Sequence, residues 1–291
     1  MRFLFLCSSV RMRGMIVVDG KVIAARILDE VRGEVATSKK KLRLGAVVVG
    51  DDAVTRRFVV EKRRVAESVG IDMRVYPFPE TVMPNELRAR IAELVREEHN
   101  TGVIIQLPLP SHLPRQHILN AVTPEKDGDM LSARAVGNFI VGKGVLVPPV
   151  VGAIQEIAAT HGIEFMGKNI VVVGAGPLVG RPVALWLLRS GATFSVVRAS
   201  TADPASFVRS ADILISGIGK PRFITGAMVK AGIAVFDAGT AESAGKIAGD
   251  VDYDSVAPKC SLITPVPGGI GPLTVAVLLR NLVLLACNRK K

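Results

Sequence analysis

The stretch that most limits the fold is Gly167 to Pro182, GKNIVVVGAGPLVGRP. An apolar run, Ile170 to Val173, ends in Gly174-Ala175-Gly176, and an amphipathic segment, Leu178 to Arg189, follows at once. This order predicts a buried strand, a tight turn and a helix opening near Pro177. Glycines at 174 and 176 let the backbone turn sharply and approach a pyrophosphate, and the free N–H groups and positive dipole end of the helix would face the anion. The spacing is G-x-G-x-x-x-G, closing at Gly180, one residue longer than the dinucleotide fingerprint. Strand-to-helix turns also use glycine for purely steric reasons, so the motif alone leaves both readings open.

The strand expected next, Thr193 to Val197, ends where an NAD-binding unit carries an acid for the ribose 2′-hydroxyl. Here that place holds Arg198, with Ser200 and Thr201 beside it. A cation with neighbouring hydroxyls suits a 2′-phosphate and favours NADP over NAD; the alternative is a solvated arginine at a strand end. Two later strand ends, Gly217-Ile218-Gly219-Lys220-Pro221 and Asp237-Ala238-Gly239, are glycine-rich, as expected where backbone passes close to a dinucleotide.

The same alternation runs through the rest of the chain. A strand over 16–18, a helix over 21–35, a strand over 44–49, a helix over 54–69 stopping at Gly70, a strand over 73–78, a helix opening on Pro84 and a strand over 102–107 predict a parallel sheet covered on both faces. Ligands of such sheets sit at the carboxyl ends of the strands, which puts Gly50 to Asp52 and Gln106 to Pro110 on one rim. A helix over 148–161 should link the halves, and Leu273 to Ala286, apolar on nearly all sides, reads as a buried helix.

The 291 residues suggest two domains, and 49% hydrophobic content without an apolar run of about 20 residues suggests a soluble, globular chain. A formal charge of +11 draws anionic ligands. The basic residues are scattered, with only two Tyr and one Trp among them, so no base-stacking surface is visible. Cys7, Cys260 and Cys287 have no metal-ligand spacing and suggest a reducing, cytoplasmic setting. The first fourteen residues are too broken for a signal peptide and read as a loose extension, with Met15 an alternative start.

Several motifs together resemble one family, the bifunctional methylenetetrahydrofolate dehydrogenase and methenyltetrahydrofolate cyclohydrolase. They are V-G-D-D at 49–52 with Lys62, Q-L-P-L-P at 106–110, T-P-E-K-D at 123–127, V-G-R-P at 179–182, G-K-P-x-F at 219–223, G-D-V-D at 249–252 and T-P-V-P-G-G-I-G-P-L-T at 264–274. The resemblance implies a two-domain α/β protein, usually a homodimer. An N-terminal catalytic domain over 1–147, completed by a C-terminal helix over 272–291, and a Rossmann-type NAD(P)-binding domain over 148–271 would flank a folate cleft. It implies hydride transfer from a tetrahydrofolate substrate to NADP, then hydrolysis; the composition read above leads to the expectation of no nucleic-acid or membrane partner.

The resemblance also places the roles. Lys62 stands where such enzymes carry their catalytic lysine, and an amine can assist proton transfers around water attack on a cationic imidazolinium carbon. Gln106 would position that lysine, and Asp129 would accept hydrogen bonds from the pterin ring. Folate contacts fall on Phe58, Leu107, Pro108, Pro267, Gly268, Gly269 and Thr274. Cofactor contacts fall on Gly174, Ala175, Gly176, Pro177, Val179, Gly180, Arg181, Arg198, Ser200, Thr201, Gly217, Gly219 and Thr240.

Departures from the family pattern cluster around the ligands. Phe58 replaces a tyrosine, keeping a ring one helical turn from Lys62 without its hydroxyl. The usual D-G-F-H-P-x-N reads DMLSARA at 129–135, the usual P-C-T-P before the linker helix reads VPPV at 147–150, the usual G-R-S of the cofactor turn reads GAG at 174–176, and the usual H-S-x-T reads RAST at 198–201. Either Arg198 compensates for the arginine absent from position 175, or the sites have drifted toward one activity or ligand binding without turnover. Lys62, Gln106, Asp129 and the 264–274 loop favour an active enzyme.

Overall fold

A computed structural model describes residues 10–12, 14–38, 40–198, 200–243 and 246–288. The chain divides into two compact units. One takes the described residues up to Ile23 together with Ala153–Leu273, and the other takes Ala24–Gly152 together with the described residues from Thr274.

β1 (Val10–Met12) and β2 (Met15–Val17) form an antiparallel hairpin, with Val10 opposite Val17. α1 (Gly20–Thr37) begins on Asp19, whose Oδ1 accepts from Lys21 N at 3.0 Å and Val22 N at 3.2 Å. β3 (Arg43–Val49), α2 (Ala53–Ser68), β4 (Asp72–Phe78), α3 (Pro84–Arg96) and β5 (Gly102–Ile105) follow in strict alternation. α3 opens on Pro84, where a missing N–H costs no helical bond. β3 lies between β4 and β5 and pairs parallel with both, so the second unit has a small three-stranded sheet. α4 (Arg115–Leu119) and α5 (Ala133–Ile140) complete its layer, and Val47, Leu87, Ile91, Val103, Ile105 and Ile118 share one core.

After α6 (Pro149–His161) come β6 (Ile170–Val173), α7 (Gly180–Ser190), β7 (Phe194–Val197), α8 (Pro204–Ser210), β8 (Ile213–Ser216) and β9 (Ile233–Asp237). A hairpin of β10 (Ala241–Ser243) and β11 (Lys246–Ala248), then α9 (Tyr253–Val256), β12 (Cys260–Ile263) and α10 (Ile270–Asn288), end the described chain. The large sheet has seven strands in the order β1-β2-β12-β9-β8-β6-β7. All its pairings except β1 with β2 are parallel. From β6 the chain goes to β7 on one side and then to β8 on the other, so the order reverses between β6 and β8. In doubly wound sheets that reversal opens the ligand crevice at the carboxyl ends.

Three expectations are corrected. The extension expected to be loose through residue 14 holds a strand at 10–12, because β2 offers it a partner; residues 1–9, including Cys7, and residue 13 lie outside the described residues. β2, placed with the catalytic domain by sequence, pairs parallel with β12 in the large sheet, Leu262 opposite Ile16, so the units divide at 23/24 as well as at 152/153 and 273/274, where the sequence reading divides only at 147/148 and 271/272. α7 opens at Gly180 rather than near Pro177, because 177–179 form a turn in which Arg181 N reaches back to Gly176 O at 2.9 Å.

α10 is long and apolar enough to cross a membrane by length and composition, with mean hydropathy 2.0 over 270–287, yet 56% of that window is buried inside the protein. Its contacts explain the burial. A Cβ on Gly102 would lie 2.6 Å from Leu282, and a Cβ on Gly152 would lie 2.7 Å from Val277, so small residues make room for the helix.

Candidate functional site

Two strand edges carry the residues singled out by sequence. At the small sheet, the turn after β3 is set by Gly50 at φ 78° and by Gly50 N donating to Phe78 O at 3.0 Å. Asp52 then caps α2, its Oδ2 accepting from Thr55 N at 2.7 Å, and that bond holds its carboxyl below the usual range. The V-G-D-D motif therefore starts, at the sheet's edge, the helix that carries the lysine. Thr55, Val59 and Ala66 bury one side of α2, which leaves Phe58 and Lys62 half-buried one turn apart.

Lys62 Nζ donates to Gln106 Oε1 at 2.9 Å, joining α2 to the carboxyl end of β5. Gln106 is 8% exposed, and its Nε2 donates to Leu107 O at 2.8 Å, which turns Oε1 toward the amine. The next peptide, Leu107–Pro108, is cis. Asp129 is half-buried, and burial pushes its carboxyl above the ordinary range while the Lys62 ammonium pulls it back. Lys62, Gln106 and Asp129, remote in sequence, are thus brought together within the second unit.

Sequence reasoning did not assign the groups that hold Asp129 in place. Lys126, 8% exposed, sends Nζ to Glu97 O at 2.9 Å and to Asn100 O. Asp127, 3% exposed, accepts from Leu131 N at 3.1 Å and Ser132 N at 2.8 Å, and burial pushes its carboxyl up. Asn281 of α10 donates to Gly128 O at 2.9 Å and Val147 O at 2.8 Å. The T-P-E-K-D motif is scaffold, tying three stretches of chain around one acid. Met130 has a left-handed backbone at φ 59° with its side chain 5% exposed. A non-glycine residue there carries about 1–2 kcal/mol of strain.

At the large sheet the edge is built from backbone. Gly174 has φ 106°, and a Cβ there would sit 2.7 Å from Gly217 O; a Cβ on Gly180 would sit 2.0 Å from Gly174 O, and one on Gly217 2.3 Å from Val179. These three glycines are fixed by the protein's own packing. Gly176 differs: a Cβ there would meet nothing within 4 Å, and its φ is not positive. Neither packing nor backbone strain demands glycine at 176, whereas close approach by an outside group would.

Ala175 and Pro177 are half-buried in the same turn, and Arg181 is exposed in the first turn of α7. Beyond β7, Arg198 N donates to Thr201 Oγ1 at 2.9 Å and Thr201 N returns a bond to Arg198 O at 3.0 Å, forming a closed turn with exposed Arg198 and Ser200. Gly219, at φ 73°, and Lys220 are exposed beyond β8, and Thr240 is exposed beyond β9.

The 264–274 loop sits on the same unit's edge up to Leu273. Thr264 Oγ1 receives Asp237 N at 2.7 Å, and Val266–Pro267 is cis. Gly268, at φ 104°, accepts from Gly20 N at 2.9 Å through its carbonyl, and a Cβ on Gly20 would fall 1.7 Å from Gly269 O. Pro267 is exposed, Gly268 half-buried and Gly269 buried, and Thr274 is half-buried on α10.

Residues 18–129 match the tetrahydrofolate dehydrogenase/cyclohydrolase catalytic domain, and residues 148–290 match the NAD(P)-binding domain of the same name. The chain belongs to the tetrahydrofolate dehydrogenase/cyclohydrolase family. It is 37% identical over 281 residues to the bifunctional protein FolD of Campylobacter curvus, covering 95% of this chain and 98% of that one. The crystal structure of the bifunctional FolD enzyme from Campylobacter jejuni superposes with a TM-score of 0.90 at 36% identity, covering 94% and 99% of the two chains. The Trypanosoma brucei N5,N10-methylenetetrahydrofolate dehydrogenase-cyclohydrolase, solved with NADP and an inhibitor, gives 0.90 at 32% identity, covering 95% and 99%. The two-domain α/β fold of the tetrahydrofolate dehydrogenase/cyclohydrolase family, with a Rossmann-type parallel sheet, is the fold of this chain.

Proposed function

We infer that the protein oxidises 5,10-methylenetetrahydrofolate to the 5,10-methenyl compound with NADP and hydrolyses that product to 10-formyltetrahydrofolate. The observation that carries the reading is the Lys62–Gln106 hydrogen bond of 2.9 Å beside half-buried Asp129, at the edge of a parallel sheet in a member of this family.

Hydrolysis adds water to a cationic carbon between two nitrogens, removes a proton from that water and delivers one to the nitrogen that leaves. Lys62 is the group suited to take and return that proton, and its bond to Gln106 limits where the amine can point. Asp129 would accept hydrogen bonds from the donor edge of the pterin, and the Phe58 ring, one turn before Lys62, would lie against the pterin face. Leu107, Pro108 and Thr274 complete the proposed folate contacts of this unit.

The dinucleotide would be held by the 174–180 turn, where the open space over Gly176 at the start of α7 suits a pyrophosphate. Gly217, Gly219 and Thr240 line the same edge, and Arg198 with Ser200 and Thr201 would take a 2′-phosphate, the reason to prefer NADP to NAD. When bound, the nicotinamide supplies the hydride acceptor. Oxidation then depends on positioning rather than on an acid or base from the chain. The assembly proposed is a homodimer in the cytoplasm.

The test is to supply the purified protein with methylenetetrahydrofolate and either NADP or NAD, and separately with methenyltetrahydrofolate. Formation of NADPH, slower formation of NADH, and enzymatic hydrolysis are expected. Absence of both activities would leave only a ligand-binding protein.

A further inference from the structure

Two carboxylates lie buried beneath the large-sheet edge, and the proposed reactions use neither. Asp237 ends β9 at 3% exposure, and Asp250, at 0%, follows the β10–β11 hairpin. Asp250 Oδ2 accepts from Ser216 Oγ and from Ile218 N, each at 2.7 Å, while its Oδ1 accepts from Lys220 N at 2.9 Å. Asp237 Oδ1 accepts from Gly239 N at 2.9 Å and Asp250 N at 3.2 Å, and its Oδ2 accepts from Val251 N at 3.0 Å.

The surroundings are cut to fit these acids. A Cβ on Gly239 would stand 2.2 Å from Asp250 Cγ, and a Cβ on Gly249 would stand 2.1 Å from Asp237 Oδ2. Glycine at both places therefore makes room for a carboxylate, which explains the G-D in the G-D-V-D motif. The segment after β8 has no regular structure from Gly217 to Lys220. Its path is set instead by Gly217 N on Val173 O at 2.9 Å and by the two amides on Asp250. Those amides flank Gly219, at φ 73°, on the edge where the turn of Gly174 to Gly180 lies.

We propose that Asp250 is a positioning residue for the cofactor: it clamps the Ile218 and Lys220 N–H groups, fixes the loop at the carboxyl end of β8, and so sets affinity for the dinucleotide. Asp237 holds Asp250 through its backbone N–H and is the outer member of the brace. The proposal rests on the reading that this edge takes NADP. It concerns affinity for the cofactor and leaves the hydrolytic step, assigned to Lys62, untouched.

Asp250→Asn keeps the shape, but an amide nitrogen cannot accept, so at least one loop N–H loses its partner. The expected result is NADP binding weakened about tenfold, a matching rise in KM for NADP with a much smaller change in kcat, and hydrolysis of methenyltetrahydrofolate unchanged. Equal NADP affinity in the folded variant would overturn the proposal, as would loss of hydrolysis in step with oxidation, the mark of a merely structural acid. If the variant does not fold, hydrogen exchange on the cofactor-free wild type decides: slow exchange at Ile218 and Lys220 supports the clamp, and exchange at the rate of an open loop refutes it. Wild-type protein that binds no NADP would instead overturn the dinucleotide reading itself.

Discussion

The carboxyl edge of β3 and β5 presents polar side chains, Lys62 bonded to Gln106 with Asp129 nearby, whereas the carboxyl edge of β6 and β8 is built from closely packed glycine backbone. The first edge needs particular atoms, because moving a proton requires an amine at a fixed place. The second needs a particular path of chain, since a pyrophosphate is met by amides that every residue carries. Replacing a side chain should therefore cost the two edges very differently. That difference accounts for an intact lysine, glutamine and acid in a chain whose nucleotide turn reads GAG.

The sharpest way to break the comparison is Lys62→Met. Hydrolysis of methenyltetrahydrofolate is expected to fall by about 10²–10⁴-fold, measured as loss of its absorbance, while NADP binding stays as in wild type. The reciprocal change is Gly180→Ala, whose Cβ would lie 2.0 Å from Gly174 O. Moving that backbone should weaken NADP about 10- to 100-fold by titration and leave hydrolysis intact. If both variants lost both activities together, the two edges would not be separable.

Side chains at the backbone edge should matter less. Arg198→Ala is expected to raise KM for NADP about tenfold and leave KM for NAD unchanged, which steady-state kinetics with both cofactors would read. Equal effects on the two cofactors would remove Arg198 from the 2′-phosphate and restore the reading of a solvated strand-end arginine.

How much of this was legible in the sequence follows from what each element depends on. Locally determined elements were: α2, capped by Asp52 and stopped near Gly70, lies within one residue of its expected span, and β3 and β6 read directly from their valine runs. The rim formed by Gly50–Asp52 and Gln106–Pro110 followed from parallel pairing alone. β12 was missed, because Cys260–Ile263 is short and becomes a strand only by lying between β2 and β9. β2 was assigned to the wrong sheet for the same reason: its partner is more than 200 residues away in sequence.

The site divides likewise. Lys62, Gln106 and Asp129 were named from the family resemblance, and the structure brings them together. Asp127, Asp237, Asp250 and Asn281 carried no local signal beyond their motifs, since a buried polar group is recognised by loops that fold around it.

Stability, rather than affinity or rate, is what Asp237 affects: its carboxyl is pushed from 3.8 to about 6 by burial, against the pull of its N–H bonds. The folded state holds this proton in a range where the unfolded chain has lost it. This contribution to stability is complete below about pH 4 and is lost as pH rises through about 6, a swing on the order of 3 kcal/mol. Urea unfolding of Asp237→Asn should show a flatter dependence on pH between about 4 and 6 than wild type. An unchanged slope would show that the carboxyl ionises freely in the fold.

Calorimetric titration of NADP into the purified wild type and its Gly180→Ala variant tests most directly whether backbone, rather than the altered side chains, carries the dinucleotide. Saturable binding at one site in the wild type, lost or much weakened in the variant, is the expected result. No heat above buffer in the wild type, or equal affinity in both proteins, would contradict it.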